Sequence, residues 1–103
     1  MKDKIIKLIQ KIAEDLNSTL PHPVEISKGP DAGLYGPGGV LDSLGLVRFI
    51  VEIEAAVEDQ FGAAVILAND RAMSQKRSPF LTVGTLASYI EELLKENGEQ
   101  KNP

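Results

Sequence analysis

A single serine in this chain combines a residue type and a position that suit covalent modification. Ser43 lies between Asp42 and Leu44, at the start of an apolar, acidic stretch and just after the glycine-rich segment 36–39. Aspartate and serine are favoured at helix N-termini, whereas glycine-rich segments interrupt regular structure. The pattern predicts that Ser43 lies in the first turn of a helix, with an exposed hydroxyl group that another protein could modify. Capping of the helix alone is the competing interpretation.

The rest of the chain offers little chemistry of its own. It contains no cysteine, which excludes a thiol nucleophile and a thiolate zinc site. His22 is the only histidine, it lies between two prolines, and no Gly-x-Ser-x-Gly motif accompanies it. The segment 36–39 is not followed by the Gly-Lys-Ser or Gly-Lys-Thr of a phosphate-binding loop, and the acidic residues lack the spacing of a calcium-binding loop. We therefore expect a protein that is not an enzyme and has no catalytic or metal site.

The negative charge of the chain is concentrated in one segment. The net charge is −4, and residues 42–62 contain five acidic residues against Arg48 alone, whereas the segments on either side are each neutral. Nucleic-acid binding requires a basic surface, so this distribution argues against it and favours basic protein partners. The longest apolar run, residues 63–68, is too short to span a membrane, and the N-terminus lacks the features of a signal peptide. We expect a soluble, cytoplasmic monomer.

Hydrophobic periodicity predicts three long helices and one short helix. They cover residues 3–17, 43–61, 70–74 and 82–96. Gly62 and Gly98 are expected to end the second and the last of the long helices, and residues 97–103 are expected to fray. Residues 1–103 would then form one all-α domain, a small four-helix bundle with a long first loop.

The long first loop, residues 18–41, separates the first two long helices. Its prolines and glycines predict that no helix forms across residues 29–39. A connection of this length is unusual in a compact domain unless it is functional or packed against the core. The apolar side chains expected to hold it there are Val24, Ile26, Leu34 and Tyr35.

The second long helix has more apolar positions than one inward face requires. The predicted inward stripe consists of Leu46, Phe49 or Ile50, Ile53, Val57 and Phe61. Leu44, Val47 and Val51 lie outside that stripe. These three form either a contact surface for partners or a second buried face, and the sequence favours neither interpretation.

The order of these elements resembles that of the acyl carrier proteins, over nearly the whole chain. The residues that carry the resemblance are helix 3–17, the long loop, Val40-Leu41-Asp42-Ser43-Leu44, the Phe61-Gly62 helix end, the short helix and Thr82-Val83-Gly84-Thr85-Leu86. In that family, a phosphopantetheinyl transferase attaches 4′-phosphopantetheine to the serine of an Asp-Ser-Leu motif. The resemblance implies that Ser43 carries this cofactor, with Asp42 and Leu44 beside its root.

The resemblance also implies a function. The chain would carry acyl or aminoacyl groups as thioesters on the phosphopantetheine arm and deliver them to enzymes of fatty acid, polyketide or other specialised biosynthesis. Its further partners would be an acyl- or aminoacyl-activating ligase and acyl-transfer enzymes. The residues expected to contact partners are Leu44, Val47, Arg48, Val51, Glu52 and Glu54.

The chain departs from the family pattern in two respects. Gly45 and Arg48 replace acidic residues that commonly follow the motif, and the distance from Ser43 to Gly62 is about one helical turn longer than usual. These departures favour a specialised carrier over the housekeeping carrier of fatty acid synthesis. A glycine directly after the Ser-Leu pair, as at Gly45, resembles the sequence of carriers that are charged with amino acids. The cargo therefore stays open. The alternative function is an unmodified helical interaction module that uses the acidic helix 43–61.

Overall fold

The structure is a computed structural model, and it describes residues 2–19, 23–36, 39–67 and 79–101. At Ser43 and at residues 97–101 it describes the backbone only. Three α-helices and one 3-10 helix follow in the order α1 (Lys2–Asn17), η1 (Ile26–Asp31), α2 (Ser43–Phe61) and α3 (Val83–Lys101). The described residues contain two isolated β-bridges and no strand, so the prediction of a small all-α bundle is confirmed. The predicted short helix 70–74 lies outside the described residues.

Helix α1 is the element around which the others pack. It contacts α2, α3 and η1. Ile5, Ile9 and Ala13, spaced four residues apart, are fully or almost fully buried, whereas the lysines of this helix are exposed. A fully buried isoleucine side chain contributes about 1.5–3 kcal/mol to the stability of a fold. The inward face of α1 is therefore a shared contact on which the positions of the other helices depend.

Helix α2 begins and ends where its local sequence predicts. Asp42 caps its N-terminus, and Gly62 follows its last residue in a left-handed conformation, with φ 69°. The N–H group of Gly62 donates a hydrogen bond of 2.9 Å to the carbonyl oxygen of Glu58, which satisfies an otherwise unpaired carbonyl of the last turn. The fully or largely buried residues of α2 are Phe49, Ile50, Ile53 and Val57, and Leu46 and Phe61 are partly buried against the core. The predicted inward stripe is therefore confirmed.

Helix α3 begins with a reciprocal pair of hydrogen bonds. The Thr82 hydroxyl oxygen accepts a hydrogen bond of 3.1 Å from the N–H group of Thr85, and the Thr85 hydroxyl oxygen accepts one of 3.0 Å from the N–H group of Thr82. This capping box confirms the predicted start of the helix. The predicted end was wrong, because α3 continues through Gly98 to Lys101. Glycine ends a helix where its backbone turns left-handed, and the glycines with positive φ among the described residues do not include Gly98.

The first loop contains the 3-10 helix η1, which reaches into a segment predicted to be free of helix. Two short turns are joined at Gly29, whose φ of 60° and ψ of −131° are not helical, and Pro30 follows directly. Turns of this kind use hydrogen bonds between residues three apart, and they tolerate a proline at a first position that needs no donor. The absence of helix predicted for residues 29–39 was therefore wrong for residues 29–31.

Hydrogen bonds join the first loop to the end of α1 and to the start of α3. The Asn17 side chain, at the end of α1, accepts a hydrogen bond of 2.9 Å from the N–H group of Val24 and donates one of 3.2 Å to its carbonyl oxygen. Further along, the N–H group of Leu34 donates to the carbonyl oxygen of Leu81 at 2.8 Å, and that of Val83 donates to Ala32 at 3.0 Å. The four apolar side chains expected to hold the loop are buried or packed against the core, as predicted.

The packing of α2 yields a stability prediction. We expect Ile53→Ala to lower the free energy of unfolding by about 2–5 kcal/mol, because Ile53 is fully buried and its truncation leaves a cavity. Val51→Ala is the matched control on the same helix: this side chain is 56% exposed, so the expected change is below about 0.5 kcal/mol. Urea denaturation followed by far-ultraviolet circular dichroism measures both. Equal losses in the two variants would contradict the assigned orientation of α2.

Candidate modification site

Asp42 provides the cap of α2 at the predicted modification site. One oxygen of its carboxylate accepts a hydrogen bond of 2.7 Å from the N–H group of Gly45, three residues further along. Its carbonyl oxygen accepts the first intrahelical hydrogen bond, from Leu46 at 2.9 Å. Ser43 is therefore the first residue inside the helix, and a hydroxyl group at this position is not needed for the cap. Between the two residues predicted to cap α2, the structure assigns that role to Asp42.

The residues on either side of Ser43 are exposed. Asp42 is exposed, and Leu44 is 72% exposed although it is a large apolar side chain. The predicted exposure of the Ser43 hydroxyl lies outside the described part of the structure. The helix start brings a partial positive charge to this position, because the first N–H groups of a helix have no carbonyl partner and the peptide dipoles add along its axis. A phosphate group on a residue here would be stabilised by that charge.

The end of the first loop fixes the direction in which the chain enters α2. The carbonyl oxygen of Leu34 accepts hydrogen bonds from the N–H groups of both Val40, at 3.1 Å, and Leu41, at 2.8 Å. The backbone of Gly39 comes so close to this strand-like segment that a Cβ atom there would lie 2.7 Å from backbone atoms of Leu34 and Tyr35. A side chain at position 39 would therefore displace the loop that leads to Ser43.

The structure decides between the two interpretations of the extra apolar residues in α2. Leu44, Val47 and Val51, spaced three and four residues apart, are 72%, 56% and 56% exposed, so they form one apolar line on the outside of the helix. We call these three side chains the outer stripe. The interpretation that they form a second buried face is wrong. Two other residues expected to contact partners, Arg48 and Glu52, are also exposed.

Glu54, the sixth residue expected to contact partners, has a partner within the chain. Its carboxylate oxygen Oε2 accepts a hydrogen bond of 2.8 Å from the N–H group of Leu67, and its side chain is half-buried. The bond holds the connection after α2 against this helix. Glu54 is thereby engaged in positioning a neighbouring segment.

An exposed isoleucine in that connection was not identified from the sequence. Ile66 is 66% exposed, whereas Val65 and Leu67 on either side of it are almost or fully buried. Neighbours in an extended segment point in opposite directions, but three consecutive apolar residues do not indicate which of them faces outward. The connection at 63–67 belongs to neither a helix nor a strand.

The described part of the chain was also searched for metal sites and for membrane-spanning helices. No group of three or more histidine, aspartate and glutamate side chains comes together there to hold a metal ion. No helix in that part has the length and apolar character needed to cross a membrane. His22 lies outside the described residues.

Comparison with protein-family models, with curated proteins and with solved structures finds no match to this chain. A functional proposal therefore depends on the residues themselves and on the geometry around Ser43.

The cap of α2 gives a second stability prediction. We expect Asp42→Ala to lower the free energy of unfolding by about 1 kcal/mol, because the N–H group of Gly45 loses its acceptor. Asp42→Asn keeps an oxygen acceptor at the same place, so most of the stability should remain. Thermal unfolding followed by circular dichroism compares the two variants. An equal loss in both would mean that the carboxylate charge, and not the cap, is the stabilising feature.

The bond between Glu54 and Leu67 gives a third prediction. We expect Glu54→Ala to lower the free energy of unfolding by about 1–2 kcal/mol, because the N–H group of the buried Leu67 loses its acceptor. Glu54→Gln retains an oxygen acceptor and should cost less. Glu58→Ala is the control, because Glu58 is an exposed acid on the same helix. Urea denaturation measures all three, and equal stability of Glu54→Ala and Glu58→Ala would show that the bond contributes nothing.

Proposed function

We propose that this chain is an acyl carrier protein that carries 4′-phosphopantetheine on Ser43. The observation that carries the proposal is the position of Ser43 as first residue of α2, with the cap supplied by Asp42 through its 2.7 Å hydrogen bond to Gly45. The identity of the cofactor is inferred from the resemblance to the acyl carrier proteins in element order and in the Asp-Ser-Leu motif. The cofactor would add the thiol group that a chain without cysteine lacks.

The proposed loading step is a phosphoryl transfer from coenzyme A. The hydroxyl oxygen of Ser43 forms a new bond to the phosphorus atom that carries pantetheine. The bond between this phosphorus and the oxygen that bridges the two phosphates breaks, and adenosine 3′,5′-bisphosphate leaves. The hydroxyl proton passes to a base of the transferase or to water. The resulting phosphodiester carries one negative charge at the N-terminus of α2, where the helix dipole stabilises an anion by about 0.3–1 kcal/mol.

The chain's own residues would then hold the arm and present it. Asp42 keeps the first turn of α2 in place, and the hydrogen bonds of Leu34 fix the chain just before it. Acyl or aminoacyl groups would be bound as thioesters at the end of the arm and would be transferred there by partner enzymes. The outer stripe begins at Leu44, next to the attachment site, and offers these enzymes an apolar surface.

The departures from the family pattern support a specialised carrier. Gly45 is buried in the first turn of α2, where its N–H group donates to Asp42, and it replaces the acid that is usual at this position in the family. Arg48 places a positive charge on the exposed surface, where an acid is usual. Both changes lie within two turns of Ser43, so they alter the surface that a partner meets first. The cargo is either acyl or aminoacyl.

The proposal is tested by co-expression with a phosphopantetheinyl transferase of broad specificity. We expect the intact mass to rise by one phosphopantetheinyl group, and we expect no rise in Ser43→Ala. Ser88→Ala is the matched control, because Ser88 is an exposed serine on α3 and its loss should leave the modification unchanged.

The opposite outcome would favour the unmodified interaction module. No gain in mass, under conditions that load a control carrier, would exclude the carrier function and leave the exposed outer stripe as a surface for protein binding. If loading occurs, incubation of the loaded protein with an acyl-activating ligase and with an aminoacyl-activating ligase separates the two classes of cargo.

A further inference from the structure

The four exposed large apolar side chains of the described residues lie on α2 and on the connection that the bond between Glu54 and Leu67 holds against it. Three are the outer stripe of α2, and the fourth is Ile66. Glu54 follows Val47 by seven residues and Val51 by three, so it shares their side of the helix. Its bond to Leu67 therefore brings the neighbouring Ile66 to this side of α2. We call the outer stripe together with Ile66 the docking surface.

The charges around the docking surface divide it into two halves. Arg48 is exposed beside the first half, and α2 has no acidic residue in its first turn. Among the acids, Asp42 is exposed just before the first half, and Glu52, Glu58 and Asp59 are exposed from the second half onwards. Among the described residues the ion pairs join Lys28 to Glu25 and Lys95 to Glu91, so none of them satisfies Arg48.

This arrangement specifies the chemistry of a partner. An arginine beside exposed apolar side chains is typical of binding surfaces, and its guanidinium group can pair with a carboxylate of a protein partner through two hydrogen bonds. An enzyme that modifies Ser43 must cover the start of α2, and Arg48 and Val51 lie only about 8 and 12 Å further along the helix axis. A common interface of about 800 Å² on each partner includes both residues.

Resting on the proposed function, we propose that the phosphopantetheinyl transferase binds the docking surface through an apolar groove that carries a carboxylate opposite Arg48. A wholly basic groove would match the later acids but would repel Arg48. An anionic membrane surface would repel those acids. A second copy of the chain would cover the residues next to Ser43 and compete with loading. These three alternatives are distinguished by the experiments below.

A charge series at Arg48 tests the carboxylate. The rate of loading is measured by intact mass with the purified transferase of the same organism and coenzyme A. We expect Arg48→Lys to load nearly as fast as the wild type, and Arg48→Glu to load about tenfold more slowly. Lys7→Glu is the matched control, because it makes the same charge change at an exposed position of α1 and should leave the rate unchanged. Loading of Arg48→Glu at or above the wild-type rate would overturn the proposal in favour of a basic groove.

A substitution at Ile66 tests the extent of the apolar contact. We expect Ile66→Asp to load about tenfold more slowly, because a charge at the centre of an apolar contact must be desolvated. Ser88→Asp adds the same charge at an exposed position of α3 and should have no effect. Circular dichroism of each variant shows whether the fold is retained. An unchanged rate for Ile66→Asp would remove this residue from the surface.

Binding without loading separates this proposal from the proposed function. Isotope-labelled Ser43→Ala is titrated with the transferase, and the amide signals of Leu44, Val47, Val51 and Ile66 are expected to shift. Loading of all variants at equal rates would overturn the docking surface alone. Shifts at these residues without loading of the wild type would overturn the carrier function alone, and absence of both would overturn both. Signals that shift with the chain's own concentration would identify a second copy as the occupant, and shifts on anionic vesicles alone would identify a membrane.

Discussion

The position of Ser43 depends on the backbone of one buried residue, Leu34. Its side chain is fully buried, its N–H group donates to the carbonyl oxygen of Leu81 just before α3, and its carbonyl oxygen accepts from both Val40 and Leu41 just before α2. One residue of a long loop therefore holds the starts of two helices in a fixed relation. A loop that lacked these bonds would leave buried backbone groups unpaired, at a cost of about 1–3 kcal/mol each.

The interior of the bundle supplies the support for that arrangement. Helix α1 packs against α2, α3 and η1 with its buried face, so the loop that precedes α2 lies on a rigid base. The loop is bound to Asn17 of α1 through Val24 and to the first residue of α3 through Ala32. The candidate site lies at the fixed end of a helix instead of on a free loop, and such an element holds a side chain more precisely than a loop does.

The sequence was sufficient for the parts of the fold that local chemistry determines. The bounds of α2 followed from Asp42 and Gly62, which act on the backbone next to them, and the start of α3 followed from Thr82. The end of α3 could not be predicted in the same way, because a glycine is compatible both with a helix end and with a helix interior, and its backbone conformation decides between them.

Features that depend on contacts between distant segments were beyond sequence reasoning. The outer stripe has apolar residues like those of the buried stripe of α2, and the packing of α2 against the rest of the core determines which of them faces inward. Glu54 was expected to be available to partners, but its carboxylate accepts from Leu67, thirteen residues away. The motif thus predicted where α2 begins along the chain, whereas the surroundings of the candidate site required the structure.

The two faces of α2 have a consequence for how this protein can change over time. The buried face determines stability, and the outer stripe contributes few contacts to the core, so substitutions on the outside alter the free energy of unfolding little. The outer side chains can therefore be exchanged while the scaffold and Ser43 stay the same. Within one helix of nineteen residues, the residues that stabilise the fold are therefore distinct from those that can vary without unfolding it.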